Sequence, residues 1–248
     1  MIVRFPMYRT EAVDQAYQAL WEAILQGLPE HLVEILPTSV SQDSDEELIA
    51  HWQSTETILS QTCGYPLLTE LSNQPLVVPH YAVEGCEGAN YRSVILVRAD
   101  NKVRHLQDLY KARPVISERD SWSGHHTLLR EFARLGRSHR LEHAFVSGSH
   151  VGSIEVLLNN RADFCAVDCV TWHHLQQSSP EAIEGTRVLS MTAPSLGLPW
   201  ISNAPRRIQS ALQTAILALD LESDFAKTLA LSGFSLHSRE DYETAMAL

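Results

Sequence analysis

Short apolar runs alternate with segments of helical period twice along this chain, and that alternation confines it to an α/β architecture. Ile2, Val3 and Phe5 read as a strand. After Thr10, a residue of N-cap type, Val13, Ala16, Tyr17, Leu20, Trp21, Ile24 and Leu25 recur at helical spacing as far as Gly27. A second strand is expected at 31–36. Ser44, Asp45, Glu46 and Glu47 read as a capping box before a helix carrying Leu48, Ile49 and Trp52. Strands follow at 57–60, 76–83 and 93–97, and after about residue 98 the rhythm restarts. The second round has a helical turn at 106–109, strands at 114–117, 144–146 and 164–167, and helices at 128–135, 151–159 and 170–177. From Arg206 the tail reads as helix in three pieces, broken near Leu221 and Gly233.

A length of 248 residues has room for two modest domains of this kind. The net charge of −11 excludes a general nucleic-acid binder, which carries a basic face, but leaves an anion ligand open, because oriented N–H groups make a site locally positive. No run of about 18 apolar residues is present, so no membrane span is expected. The opening MIVRFPMYRTEAVD lacks the pattern of a signal peptide. The expected location is therefore the cytoplasm if Met1 is the native start, and the periplasm or another extracytoplasmic space if a leader has been removed. Cys63, Cys86, Cys165 and Cys169 fit no strong zinc or redox spacing and read as small buried residues. A Cys63–Cys86 bridge stays open for an oxidising compartment. No metal and no cofactor are expected.

Ligands of open α/β sheets sit beyond the carboxyl ends of strands, where loops feed helix N-termini. The loops at issue are 6–10, 61–66, 118–125, 147–153 and 168–171. In the third, Ser121 or Ser123 can cap a helix, Gly124 permits close approach, and first-turn N–H groups attract phosphate-like anions. The alternative there is a capped helix and nothing more. Ser147-Gly148-Ser149-His150 repeats the design, and its histidine reads either as an oxyanion donor titrating near neutral pH or, more commonly for a lone His, as a solvated or packing residue. Asp168 reads equally as a ligand acceptor or as a helix cap, and Tyr8, Thr62 and Cys63 stand in the matching loops of the first round. No catalytic residue is assigned, since the nucleophile elbow, H-E-x-x-H and P-loop patterns are all missing. The adjacent pairs His125-His126 and His173-His174 would point about 100° apart on an α-helix and so chelate no metal.

Ser121-x-Ser123-Gly124, Ser149-His150, the run 160–168 and Tyr91-Arg92-Ser93 leading into 94–98 together resemble the phosphate/phosphonate solute-binding protein family of ABC transporters. The resemblance implies a two-lobed type II periplasmic-binding-protein-like fold, two α/β domains joined by two hinge strands. Lobe one would comprise 1–95 plus 191–248 and lobe two 96–190. It implies that Ser121, Trp122 (through its backbone), Ser123, Gly124, His125 and His150 hold the anion, with Asp168 across from them. Tyr8, Thr62 and Cys63 would wall lobe one. Trp122 replaces a small residue between the two serines, and Thr62-Cys63 stands where a tyrosine is common, so the specificity is expected to differ there. The function implied is binding of a small oxyanion (phosphate, phosphite or organophosphonate) by a monomer that delivers it to an ABC transporter permease. The alternatives are a cytoplasmic ligand-sensing domain or an enzyme on the same fold acting on a small heterocycle.

Overall fold

In the computed structural model, which describes residues 1–42, 47–136 and 141–247, the chain begins β1 (Ile2–Arg4), α1 (Glu11–Gln26), α2 (Glu30–Val33), α3 (Leu48–Gln53), β2 (Thr57–Gln61), α4 (Gly64–Thr69) and β3 (Val78–Tyr81). It continues β4 (Asn90–Tyr91), β5 (Ser93–Arg98), a 3-10 turn (Leu106–Leu109), β6 (Val115–Ile116), a π-helical turn (Trp122–His126), α5 (Thr127–Arg134), β7 (Phe145–Val146) and α6 (His150–Leu158). It ends β8 (Phe164–Asp168), α7 (Cys169–Ser178), β9 (Thr186–Met191), β10 (Ser195–Leu196), β11 (Trp200–Ile201), α8 (Arg206–Leu217), α9 (Asp224–Thr228), β12 (Leu231–Ser235) and α10 (Arg239–Ala245). No described helix is long and apolar enough to cross a membrane.

Two expected elements are different in kind. Residues 31–36 hold α2 and the turn after it, not a strand. Pro29 and Glu30 form a helix start, and Leu32 and Leu36, four apart, are the buried positions. The break expected at Gly233 is a strand, β12, recruited by antiparallel pairing with β3. The capping box at Ser44–Glu47 lies mostly outside the described residues; Glu47 itself precedes α3 without a side-chain cap bond.

The chain divides into two compact units. The first comprises Met1–Ala82, Glu87–Ala89 and Leu196–Met246; the second is principally Val83–Cys86 and Asn90–Ser195. The boundaries expected at 95/96 and 190/191 would cut β5 and β9. Both strands lie wholly in the second unit, because β5 is hydrogen-bonded along its length to β8 on one side and β9 on the other, both antiparallel.

In the first unit β1 runs parallel to β2 and β11 antiparallel to it. Helix α1 starts where Thr10 Oγ1 accepts from Val13 N at 3.3 Å, and it buries the apolar stripe from Val13 to Leu25. Burying each large side chain of that stripe stabilises the unit by about 1.5–3 kcal/mol. Phe5 stacks on Tyr17 at 4.3 Å and meets the edge of Trp200 at 5.0 Å.

In the second unit Val94 and Leu96 face a core with Ile154, Leu157, Cys165 and Val167, while Ile95 and Val97 face another with Leu128, Phe132, Phe164 and Ala166. Coverage on both faces explains why β5 is apolar without alternation. Helix α6 contributes to the first core and α5 to the second, so their N-terminal turns belong to one rigid frame.

Candidate functional site

Strands β6 and β7 pair in parallel, Val115 opposite Phe145 and Ile116 opposite Val146, so the two serine-rich loops that follow them leave side by side. The ladder continues into the loops through Ser147 N to Ile116 O (3.0 Å) and Gly148 N to Ser117 O (2.8 Å). Each loop then enters a helix under a serine cap. Ser121 Oγ accepts from Gly124 N at 3.0 Å, and Ser149 Oγ accepts from Gly152 N at 2.9 Å. The caps satisfy one donor each and leave the hydroxyl protons available. Side chains then join the loops: Ser123 Oγ lies 3.0 Å from His150 Nε2, and Ser93 Oγ, at the start of β5, donates to Ser123 O at 2.9 Å.

Gly124 is required by crowding. A Cβ there would fall 2.0 Å from Ser117 Oγ and 3.2 Å from Ser121 Oγ. Ser117 Oγ is buried and has no hydrogen-bond partner among the described residues. A buried hydroxyl in that state costs about 1–3 kcal/mol, which marks the spot as polar by design rather than by packing.

The histidines depart from expectation. His125 Nδ1 and His126 Nε2 both donate to the Arg119 carbonyl, at 2.8 and 2.9 Å. Their rings lie 4.6 Å apart, since the wider π turn brings successive side chains closer in direction than an α-helix does. His126 is buried. His125, expected in the ligand set, uses its ring to fasten the loop before Ser121. Burial lowers both rings' pKa, that of His126 to about 4. His150 is likewise driven down to about 4 by burial, the Ala166 backbone opposing, so it is neutral at pH 7 and not the near-neutral titrating group expected.

Trp122 also differs. Its side chain is 1% exposed and points into the second unit rather than crowding open space. The indole Nε1 donates to Ser195 Oγ at 2.7 Å, and the Arg130 guanidinium lies 4.9 Å over the ring. Arg130 donates in turn to Ala193 O (2.9 Å) and Ser195 Oγ (2.8 Å). Asp168 is buried and caps α7, its Oδ1 accepting from Val170 N at 2.7 Å and Thr171 N at 3.3 Å.

The remaining candidates lie in the first unit. Tyr8 is buried in the left-handed region at φ 62°, its ring edge-on to Tyr81 at 5.6 Å. Gln61 links Tyr17 and Tyr81, accepting from Tyr17 Oη at 3.4 Å and donating to Tyr81 Oη at 3.1 Å. Thr62 is buried, its Oγ1 donating to Cys63 O at 3.3 Å; Cys63 precedes α4 and makes no capping bond. Sequence reasoning missed Ser93, Ser117, Arg130, Ser195, Gln61 and Tyr81. Ser117 sits at a strand end beside the loop 118–125, a usable signal; Ser93 and Ser195 have no local one.

A family model described as ABC transporter, phosphonate, periplasmic substrate-binding protein matches residues 4–242. The chain belongs to this family. No curated protein matches it significantly. Among solved structures, PhnD1 from Prochlorococcus marinus in complex with methylphosphonate is 15% identical, with a TM-score of 0.75 over 98% of this chain and 95% of that one. A binding protein component of an ABC phosphonate transporter from Pseudomonas aeruginosa is 13% identical, with a TM-score of 0.73 over 98% and 83%. A Xanthomonas citri protein bound to ATP is 16% identical, with a TM-score of 0.69 over 99% and 95%. The fold is thus mixed α/β and of the two-lobed type II periplasmic-binding-protein class. The family is one of transport solute-binding proteins, not of enzymes.

Proposed function

We propose that this substrate-binding protein holds the tetrahedral head of a phosphonate, phosphite or phosphate in the second unit, at the loops 117–124 and 147–153, for delivery as a monomer to an ABC transporter permease. The observation that carries the reading is the 3.0 Å contact between Ser123 Oγ and His150 Nε2, which ties the two serine-capped turns together. With the imidazole proton on Nε2, His150 donates to Ser123 Oγ, and the Ser123 proton is left for an anion. Ser121 and Ser117 add hydroxyls on either side of Gly124. All these donors are neutral, so the anion is held by hydrogen bonds and the first-turn dipole rather than by ion pairing. Asp168 fits a structural cap better than a ligand acceptor in this scheme, and His125 an anchor of the loop.

The test is a calorimetric and thermal-shift series with phosphate, phosphite, methylphosphonate, an aminoalkylphosphonate and ATP. A ligand at 100 times its Kd stabilises the folded state by about 2.7 kcal/mol. Ser121→Ala with Ser123→Ala should abolish the shift while the protein stays folded. No response to any of the five compounds would refute the reading.

A further inference from the structure

Among the four cysteines, none of which is in a disulfide, two meet: Cys86 Sγ and Cys169 Sγ are 3.5 Å apart although 83 positions separate them in the chain. Cys86 ends the turn closed by its own N–H to Val83 O at 3.0 Å, just ahead of β4. Cys169 is the first residue of α7, fixed by its N–H to Arg92 O at 3.1 Å. What lets the turn come so close is Gly85, at φ 100°, where any Cβ would stand 3.0 Å from Cys169 Cβ. A disulfide has its sulfurs about 2.05 Å apart, so closure needs a movement of about 1.5 Å, within reach of side-chain rotation at the half-buried Cys86.

We infer that Cys86 and Cys169 are a redox pair that closes to a disulfide and staples the Val83–Cys86 turn to the start of α7. With a small-molecule disulfide such as oxidised glutathione as oxidant, the more accessible Cys86 thiolate attacks one of its sulfurs and expels a glutathione thiolate. Cys169 then attacks the Cys86 sulfur of the mixed disulfide and expels the second. The protein loses two protons and two electrons, the oxidant's S–S bond is reduced, and the Sγ–Sγ bond forms. Cys165 takes no part: it is fully buried in the core beside β5, out of an oxidant's reach, whereas Cys86 is partly exposed, although its own thiol is raised too, first by the hydrogen bond with Cys169 and then by burial. The bridge would lock the end of β5 at which Ser93 pairs with Asp168. None of this depends on which anion is bound.

The experiment equilibrates the purified protein with oxidised glutathione, blocks remaining thiols with a maleimide under denaturing conditions, and maps the peptides by mass. Two of four thiols should escape labelling, in one joined peptide pair containing Cys86 and Cys169, and dithiothreitol should restore all four. The melting temperature of the oxidised protein should exceed that of the reduced one. Cys169→Ser should stop the reaction at a glutathione adduct on Cys86; if that variant does not fold, Cys86→Ser should leave all three remaining thiols reactive. Full labelling after oxidation, a bridge through Cys63 or Cys165, or an unchanged melting temperature would overturn the inference. Anion binding by the reduced protein is measured separately and stands or falls by its own result.

Discussion

Lowering the pH from 7.5 to 5.5 should remove a large share of this protein's stability. His51, His126, His150 and His174 are each lowered by burial from the ordinary 6.5 to about 4, and His80 and His125 are lowered as well. Between those limits the unfolded chain binds a proton at each ring and the folded protein does not. Stability is therefore complete above about pH 7 and drains away as the pH falls through the unfolded value. At pH 5.5 each of the four rings costs on the order of 1 kcal/mol, together about 4–6 kcal/mol, against a typical total of about 5–15 kcal/mol. Carboxylates held low, such as Asp163 beside Arg113, act only in stronger acid. Glu118, raised mainly by burial, acts in the opposite sense. The assay is urea unfolding followed by tryptophan fluorescence; at about 2 kcal/mol/M the midpoint should fall by about 2–3 M over this range. Three of the four rings lie in the second unit and His51 in the first, so the step belonging to the second unit should be the more acid-sensitive. His174→Gln should recover about a quarter of the loss. A midpoint that moves by less than about 0.5 M would show that these rings are not buried neutral, and the reasoning would fail.

Ala230 follows α9 in the left-handed region at φ 54°, so Ala230→Gly should stabilise the protein by about 0.5–1 kcal/mol, read as a rise in the urea midpoint. Trp122→Phe removes the donor to Ser195 Oγ while keeping most of the ring, and should lower stability by about 1–2 kcal/mol, a fall of roughly 2–8 °C in Tm. Gly124→Ala places a Cβ 2.0 Å from Ser117 Oγ and should cost about 1–3 kcal/mol; adding Ser117→Ala should restore most of it, as checked by thermal melts of both proteins.

What was legible in the sequence was whatever one element decides for itself. The stripe and caps of α1 and the serine caps of the π-helical turn Trp122–His126 and of α6 are local, and the structure has them. Elements decided by distant partners were not: β12 is a strand because β3 lies alongside it, at least 150 positions away. Within the candidate site, Ser121, Ser123, Gly124 and His150 stand together because β6 and β7 are adjacent, which the two similar loops hinted at. The charge state of His150 was misread because burial is a property of the folded unit, not of the residue. Arg130 was missed because its partners at 193–195 follow it by more than 60 positions.

Trp122 shows how a residue's chemistry in sequence and its place in the fold can diverge. Between two serines at a helix start, a bulky ring suggests obstruction. Here the ring is instead an anchor: the indole and Arg130 bind the first turn to Ser195, while Thr192 is held to the start of β5 by Ser93 N (2.9 Å) and by Arg92 (2.8 Å). Ser93 closes the circuit through its bond to Ser123 O. The first turn, the head of β5 and the segment 192–195 are therefore one hydrogen-bonded block, held together by the protein's own groups. Preordering of this kind lowers the entropy cost of binding. At the proposed site, discrimination between anions would then fall to groups other than the Trp122 ring, the hydroxyls of Ser117, Ser121 and Ser123 among them.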